Sequence, residues 1–227
     1  MNNLLDEKRR YGLEEVVSDK EKQLLEQGVP VQKIIGFIDF DDLKINVNRK
    51  VLIPRYETQE VVNKALSFIE DNNRVLDLCT GSGYIGLTIK QKCKSCEVIL
   101  SDIEEEAILQ STENAKQNKL DVEIIKSDLF KNINGKFDVI VSNPPYIPTS
   151  NKLDKSVIDY DPSIALFGGK DGNDFYRQII KEAPEFLKEN GVLVLEISDD
   201  NVEYISSENF TIEKDINGKN RIAWKHF

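Results

Sequence analysis

The spacing of apolar residues changes period several times along the chain, and each change marks an element. Residues 1–28 are mostly polar, with Leu24 and Leu25 as their best apolar pair, and predict helix ended by Gly28-Val29-Pro30. IIGFIDF and LKINVN alternate with period two on either side of Asp41-Asp42, which predicts a β-hairpin. Thr58 is a candidate N-cap for a helix carrying Val61, Val62, Ala65, Leu66 and Ile69 on one face. From Arg74 onward short apolar runs alternate with amphipathic stretches. VLDL, EVILSD, VEIIKSD, FDVIVSN and GVLVLEI read as strands, with helices at 86–92, 104–118 and 175–187 between them. The tail NFTIEKDINGKNRIAWK predicts two strands around a type I′ turn at Asn217-Gly218. Repeated β-α-β units predict an α/β fold with a parallel, doubly wound sheet that binds ligands at the carboxyl ends of its strands. Residues 1–50 would form a small helical and hairpin region, and 51–227 the main domain.

Composition narrows the function. The 227 residues are 40% hydrophobic and 31% charged, as in ordinary globular proteins. The net charge of −10 disfavours a protein that binds mainly by neutralising a phosphate backbone, so no direct nucleic-acid partner is expected. No apolar run approaches the roughly 20 residues of a membrane helix, and MNNLLDEKRRYGLEE lacks the apolar core of a signal peptide. No membrane partner and a cytoplasmic location are therefore expected. Cys93 and Cys96 form a C-x-x-C without a second pair, which points to reduced thiols rather than a metal site. His226, the single histidine, sits one residue from the end, where a frayed surface position is expected, so histidine-based catalysis has no basis.

Gly81-Ser82-Gly83-Tyr84-Ile85-Gly86 follows a predicted strand and opens a helix, a loop in which backbone can approach a ligand closely. Asp102 ends the next strand, nineteen residues after Gly83, placed to accept the two hydroxyls of a ribose. This constellation serves both NAD and S-adenosylmethionine. Asp77, inside VLDLCTGSG, would repel a pyrophosphate but suit an ammonium and sulfonium group, which favours S-adenosylmethionine over NAD. Asp128, in KSDLF, is either a turn residue or a contact for an adenine amino group.

FDVIVSNPPYIP carries the acceptor chemistry. Proline keeps the residue before it extended, so Asn143 and Pro144 are both held out of the helical region. Neither Pro144 nor Pro145 has an N–H. The strand tip thus offers the Asn143 side-chain carbonyl and the Pro144 backbone carbonyl as paired acceptors for a planar NH₂ group, beside the aromatic face of Tyr146. Two acceptors pulling on its hydrogens favour the pyramidal nitrogen that develops as a poor amide nucleophile attacks a methyl group. No base is required before attack.

The chain resembles the protein-glutamine N5-methyltransferases of the HemK/PrmC family, which modify peptide chain release factors. The resemblance lies in GVPVQKIIGFIDF, VLIPRYETQEVV, VLDLCTGSG, SDIEEEA, IVSNPPYIP, YDPSIALFGGKDGNDFYRQII and KDINGKNRIAW. It implies a class I S-adenosylmethionine-dependent methyltransferase fold, Rossmann-like, with a seven-stranded, mostly parallel sheet whose last strand is antiparallel. It also implies S-adenosyl-L-methionine as cofactor, S-adenosyl-L-homocysteine as product, and the glutamine of a release factor's Gly-Gly-Gln motif as acceptor. Cofactor contacts are implied for Asp77, Cys79, Thr80, Gly81, Ser82, Gly83, Asp102, Asp128, Leu129 and Asn143. Substrate contacts are implied for Asn143, Pro144, Pro145 and Tyr146, of which Asn143, Pro144 and Tyr146 carry the catalysis. No metal is implied. The alternative acceptors are a ribosomal-protein glutamine or a nucleobase exocyclic amine. The family carries an N-terminal domain of several helices, whereas about 28 residues precede the hairpin here. Leu129 replaces a bulky aromatic, so adenine stacking is either weaker or supplied by Phe130, and Ser198 stands at a glycine position.

Overall fold

The polar N-terminal stretch folds as separate short helices. The structure, a computed structural model, describes residues 2–40 and 43–227, and in it α1 (Asn2–Arg10) and α2 (Asp19–Glu26) divide the stretch expected to be helical, with α3 (Val31–Ile35) following Pro30. Gly12 at φ +65° breaks the first helix. Ser18 starts the second through a capping box with Glu21, which satisfies donors at the new helix start. The hairpin strands β1 (Phe37–Phe40) and β2 (Leu43–Asn46) pair antiparallel; its Asp41-Asp42 turn lies outside the described residues. α4 (Thr58–Leu66) begins one residue earlier than a Thr58 cap would allow. The Arg55–Thr58 turn makes Thr58 its first helical residue, and the hydroxyl is buried instead of capping.

The α/β alternation falls where the hydrophobic pattern put it. β3 (Arg74–Leu78), α5 (Tyr84–Lys92), β4 (Glu97–Asp102), α6 (Glu105–Gln117), β5 (Glu123–Lys126) and β6 (Phe137–Ser142) follow in turn. The irregular stretch after β6 contains a short helix, α7 (Lys155–Tyr160), before α8 (Asp174–Phe186), β7 (Leu187–Glu196) and α9 (Val202–Ser207). β8 (Thr211–Lys214) and β9 (Asn220–His226) end the chain.

Among the described residues the large sheet has seven strands in the order β5-β4-β3-β6-β7-β9-β8. Strands β3 to β7 are mutually parallel, and β9 runs antiparallel to both neighbours. This is the expected seven-stranded class I fold. The final hairpin does not use a type I′ turn, because only Gly218 has positive φ (+79°) while Asn217 does not. Gly218 N–H donates to the Asp215 carbonyl at 2.9 Å, giving a type I turn followed by a left-handed glycine. His226 is not frayed: it pairs with Val192 and sets its ring edge-on to Phe68. Cys93 and Cys96, expected as free thiols, are joined as a disulfide across the turn after α5, which brings their Cα atoms to 5.4 Å, within bridging range.

Each face of the sheet buries its own apolar cluster. Val75, Val98, Val139, Val141 and Val194 meet α4, α5, α6 and the hairpin on one side; Leu76, Ile140 and Leu193 meet α8 and α9 on the other. The two register positions alternate as a sheet covered on both faces requires. Asn114 on α6 and Asn118 at its C-terminal cap exchange hydrogen bonds with the backbone of Asn46 and Lys44, so the outer edge of β2 is closed by side chains. Asn114 also donates to the Ser82 carbonyl at 2.8 Å, tying the hairpin to the glycine loop. The order in which successive strands are added reverses between the parallel neighbours β3 and β6, which places a ligand crevice at the ends Leu78-Cys79 and Ser142-Asn143.

Candidate active site

A cavity of about 1150 Å³, mouth included, opens at that crevice. Nine of the residues expected to bind ligand line it: Cys79, Thr80, Gly81, Ser82, Asp102, Asp128, Leu129, Asn143 and Pro145. Elements far apart in sequence therefore deliver their strand-end residues to one space. Two wall residues hold left-handed backbone without being glycine, Cys79 at φ +61° and Leu129 at φ +48°. Such strain persists where surrounding structure enforces it, commonly at ligand sites.

The glycine loop is built by two carboxylates. Asp102 accepts the Gly81 N–H on Oδ2 at 2.9 Å and the Glu104 N–H on Oδ1 at 3.0 Å. Burial raises its pKa, and those backbone donors oppose the rise. A Cβ at Gly81 would meet open space, whereas one at Gly83 would press Leu87 and Ser111 at 3.0 Å. Gly81 thus permits approach of a ligand, whereas Gly83, off the cavity wall, lets α5 and α6 pack closely.

Asp77 also departs from expectation. It is fully buried and absent from the cavity wall, because period-two alternation turns it toward α5 with Val75. Its Oδ2 accepts the Thr80 hydroxyl at 2.5 Å and the Gly86 N–H at 2.8 Å, so it braces both ends of the loop rather than meeting a cation. Burial pushes its pKa up to about 7 against those two bonds.

Asp128 lines the cavity and pairs with Lys131 in the turn after β5. Phe130 does not replace the missing aromatic. It is buried against Phe186, ring centroids 4.6 Å apart, while Phe175 at the start of α8 lines the cavity. Burial also pushes the Cys79 thiol pKa well up, with the Asp102 charge adding to it.

The Asn-Pro-Pro-Tyr tip divides between wall and support. Asn143 and Pro145 line the cavity; Pro144 is buried, and Tyr146 points its hydroxyl at Glu196 Oε1, 3.5 Å away. Among the described residues no protein group bonds the Asn143 carboxamide, so its acceptor is available. The segment Ile147–Thr149 pairs with Leu166–Gly169. Gly168 fits there because a Cβ would stand 2.5 Å from the Pro145 carbonyl oxygen and 2.6 Å from that of Gly172. Asn201 Nδ2 donates to the Tyr146 and Gly172 carbonyls from behind.

Two loops roof the cavity. Asp161 is buried and accepts Ile53 N–H at 3.1 Å and Arg55 Nη2 at 2.7 Å. Leu52 and Pro54 are thereby held opposite Pro162 and Ile164. This clasp, Gly168, Asn201 and Phe175 were not found as site residues from sequence. The motifs IPRYETQE and YDPSIALFGG hold most of them, yet nothing local shows that they meet.

Residues 59–159 match the family described as methyltransferase small domain. The release factor glutamine methyltransferase of Lactococcus lactis subsp. lactis (strain IL1403) is 40% identical over 228 residues, covering 92% of this chain and 84% of that protein. The chain belongs to the release factor glutamine methyltransferases. Their relative from Leptospira interrogans serogroup Icterohaemorrhagiae serovar Lai (strain 56601) is 45% identical over 194 residues, 78% of this chain and 68% of that one. A methyltransferase structure from Pyrococcus furiosus superposes with a TM-score of 0.63 at 18% identity, over 92% of this chain and 98% of that one, a likeness of fold alone. Membership of this methyltransferase family implies S-adenosylmethionine as methyl donor, and the cavity residues suit it. Gly81 leaves open space, the Ser101 hydroxyl on the wall is buried without a partner, and Asp102 keeps acceptor capacity beside both. Among the described residues no cluster of side chains suits a metal ion, and no helix is long and apolar enough to cross a membrane.

Proposed function

We propose that the chain methylates the side-chain amide nitrogen, N5, of the glutamine in the Gly-Gly-Gln motif of a peptide chain release factor. The observation that carries this reading is the unengaged Asn143 carboxamide at the tip of β6, on the wall of the cavity that Gly81 and Asp102 also line. Family membership and the printed function of the relatives support the same acceptor.

S-adenosylmethionine supplies an electrophilic methyl group on a sulfonium and leaves as S-adenosylhomocysteine. Asp102 would hold the ribose hydroxyls, with Thr80 to Ser82 along the amino-acid portion and Leu129 against the adenine. Asn143 Oδ1 and the Pro144 carbonyl accept the two amide hydrogens, so the nitrogen lone pair is freed from conjugation as it attacks. Fixing that nitrogen in line with the methyl carbon supplies much of the remaining acceleration. Neither proline presents a competing N–H at the tip. Tyr146 flanks the amide plane, and the roof of Leu52, Pro54, Pro162 and Ile164 limits water. The amide proton becomes acidic only as the new bond forms, so attack requires no prior deprotonation.

Mass spectrometry of a release factor incubated with the enzyme and S-adenosylmethionine tests this. One added methyl on the Gly-Gly-Gln glutamine is expected. Methyl incorporation confined to a ribosomal protein or a nucleobase would refute it.

A further inference from the structure

Glu196 ends β7 directly after the Leu195–Ser142 pair, beside the strand tip that holds the acceptor. Its side chain is 1% exposed, yet Oε2 has no partner and Oε1 has only long contacts, Tyr146 Oη at 3.5 Å and Arg221 Nη1 at 3.9 Å. Thr58, a residue of the cavity wall, turns its buried hydroxyl to the same carboxyl without a well-formed hydrogen bond to any group. An orphaned buried carboxylate oxygen costs stability, so its retention between a cavity-wall hydroxyl and the tip's tyrosine calls for a function.

We propose that Glu196 is a positioning residue for the methyl acceptor: it fixes the Tyr146 hydroxyl, and through that ring the Asn143–Tyr146 tip, and engages the Thr58 hydroxyl when the cavity is filled. This rests on the glutamine-methylating reading above. Hydrogen bonds of this kind are long without ligand and tighten in the complex. Tyr146 is suited to the donor role, because burial and the Glu196 charge push its pKa well up and keep its proton in place.

The surroundings fix the sign of a pH effect. Arg221 from β9 favours the ionised carboxyl and Glu57 before α4 opposes it, while Arg55 from the roof acts on the neighbouring Tyr146 hydroxyl. Arg221 is shared with Asp215, and the Tyr176 hydroxyl of α8 donates to the Glu196 backbone carbonyl rather than to the carboxyl. Burial outweighs these and raises the pKa to about 7. Ionised, Glu196 accepts from Tyr146 and Thr58 together; protonated, it has its own hydrogen to place between them and holds Tyr146 less firmly. The ionised form is the competent one.

The test is kcat/KM on a release factor from pH 6 to 9 for the wild type, Glu196→Gln, Tyr146→Phe and the double variant, with cofactor affinity measured by calorimetry. The wild type should gain about tenfold with an inflection near neutrality, the scale of one charge-assisted hydrogen bond. Both single variants should be flat, their effects should not multiply in the double variant, and cofactor affinity should stay within about twofold. An inflection that survives Glu196→Gln, a flat wild-type profile, or losses that multiply would overturn the proposal. Should Glu196→Gln not fold, a retained inflection in Tyr146→Phe overturns it equally. A wild type unable to methylate release factor at any pH instead refutes the substrate reading, and this role with it.

Discussion

Replacing Asp102 with alanine removes two hydrogen bonds of the structure and a third interaction proposed with the cofactor. Two are internal: the Gly81 N–H at 2.9 Å and the Glu104 N–H at 3.0 Å lose their acceptor. A buried donor left unpaired costs about 1–3 kcal/mol, but these lie at a cavity wall where water can replace the carboxylate, so a total near 2 kcal/mol is expected. The third is the acceptor proposed for the ribose. A hydrogen bond to a charged group contributes about 1.5–3 kcal/mol, so affinity for S-adenosylmethionine should fall about 10- to 100-fold. Calorimetric titration of the variant, alongside its thermal melt, reads both quantities. Asp102→Asn retains one oxygen for a backbone donor and should fall between wild type and alanine in both. A melting temperature lowered as expected with cofactor affinity unchanged would show that Asp102 only shapes the loop, and the assignment of this cavity to a nucleoside would be wrong.

Asn143→Ala should reduce turnover about 100-fold or more while changing cofactor affinity only slightly, since its carbonyl is proposed to act on the developing transition state; single-turnover kinetics with near-normal rates would contradict this. Gly168→Ala places a methyl against the Pro145 and Gly172 carbonyls, so the tip must shift. Methyl transfer should fall far more than cofactor binding, and equal losses in both would argue against a tip-specific role. Glu196 is raised to about 7 from an ordinary 4.5, so the folded state binds its proton more tightly than the unfolded chain does. The stability this contributes is full below about pH 4.5 and is lost as pH rises through about 7. Glu196→Gln should therefore gain on the wild type across that window, by at most about 3 kcal/mol, in denaturant melts at fixed pH. A stability difference independent of pH would show that the carboxyl titrates normally.

Which parts of this site could be read in the sequence depends on how local their signals are. Gly81, Asp102 and Asn143 each stand where an apolar run stops at glycine, acid or proline, and a strand end in a parallel sheet is also a position at the crevice. Chain-local pattern thus places them without knowledge of any partner. The final hairpin shows the limit of such signals: Asn217-Gly218 marks a turn, but its type depended on Asp215, whose carbonyl accepts the Gly218 N–H. Asp77 shows it more sharply. Charge alone suits it to a cation, yet alternation with Val75 and Leu76 assigns it to the helix-covered face, where Thr80 and Gly86 take its oxygen.

Phe130 and Phe175 are equally aromatic and equally close to turns, so only packing decides which one the core takes. Its stack on Phe186 removes Phe130 from the cavity and leaves Phe175 there. The clasp of Asp161 on Ile53 and Arg55 spans 108 and 106 residues, and neither partner's neighbourhood names the other. The proline tip depends on the same kind of distant support. Asn143 and Pro144 are held extended by the prolines that follow them, but direction comes from elsewhere. Leu166–Gly169 pairs with Ile147–Thr149, Gly168 admits the Pro145 carbonyl at a distance no side chain would allow, and Asn201 holds the Tyr146 carbonyl. The tetrapeptide therefore supplies acceptors without competing donors, and the glycines and asparagine that aim them lie at least 22 residues later in the chain.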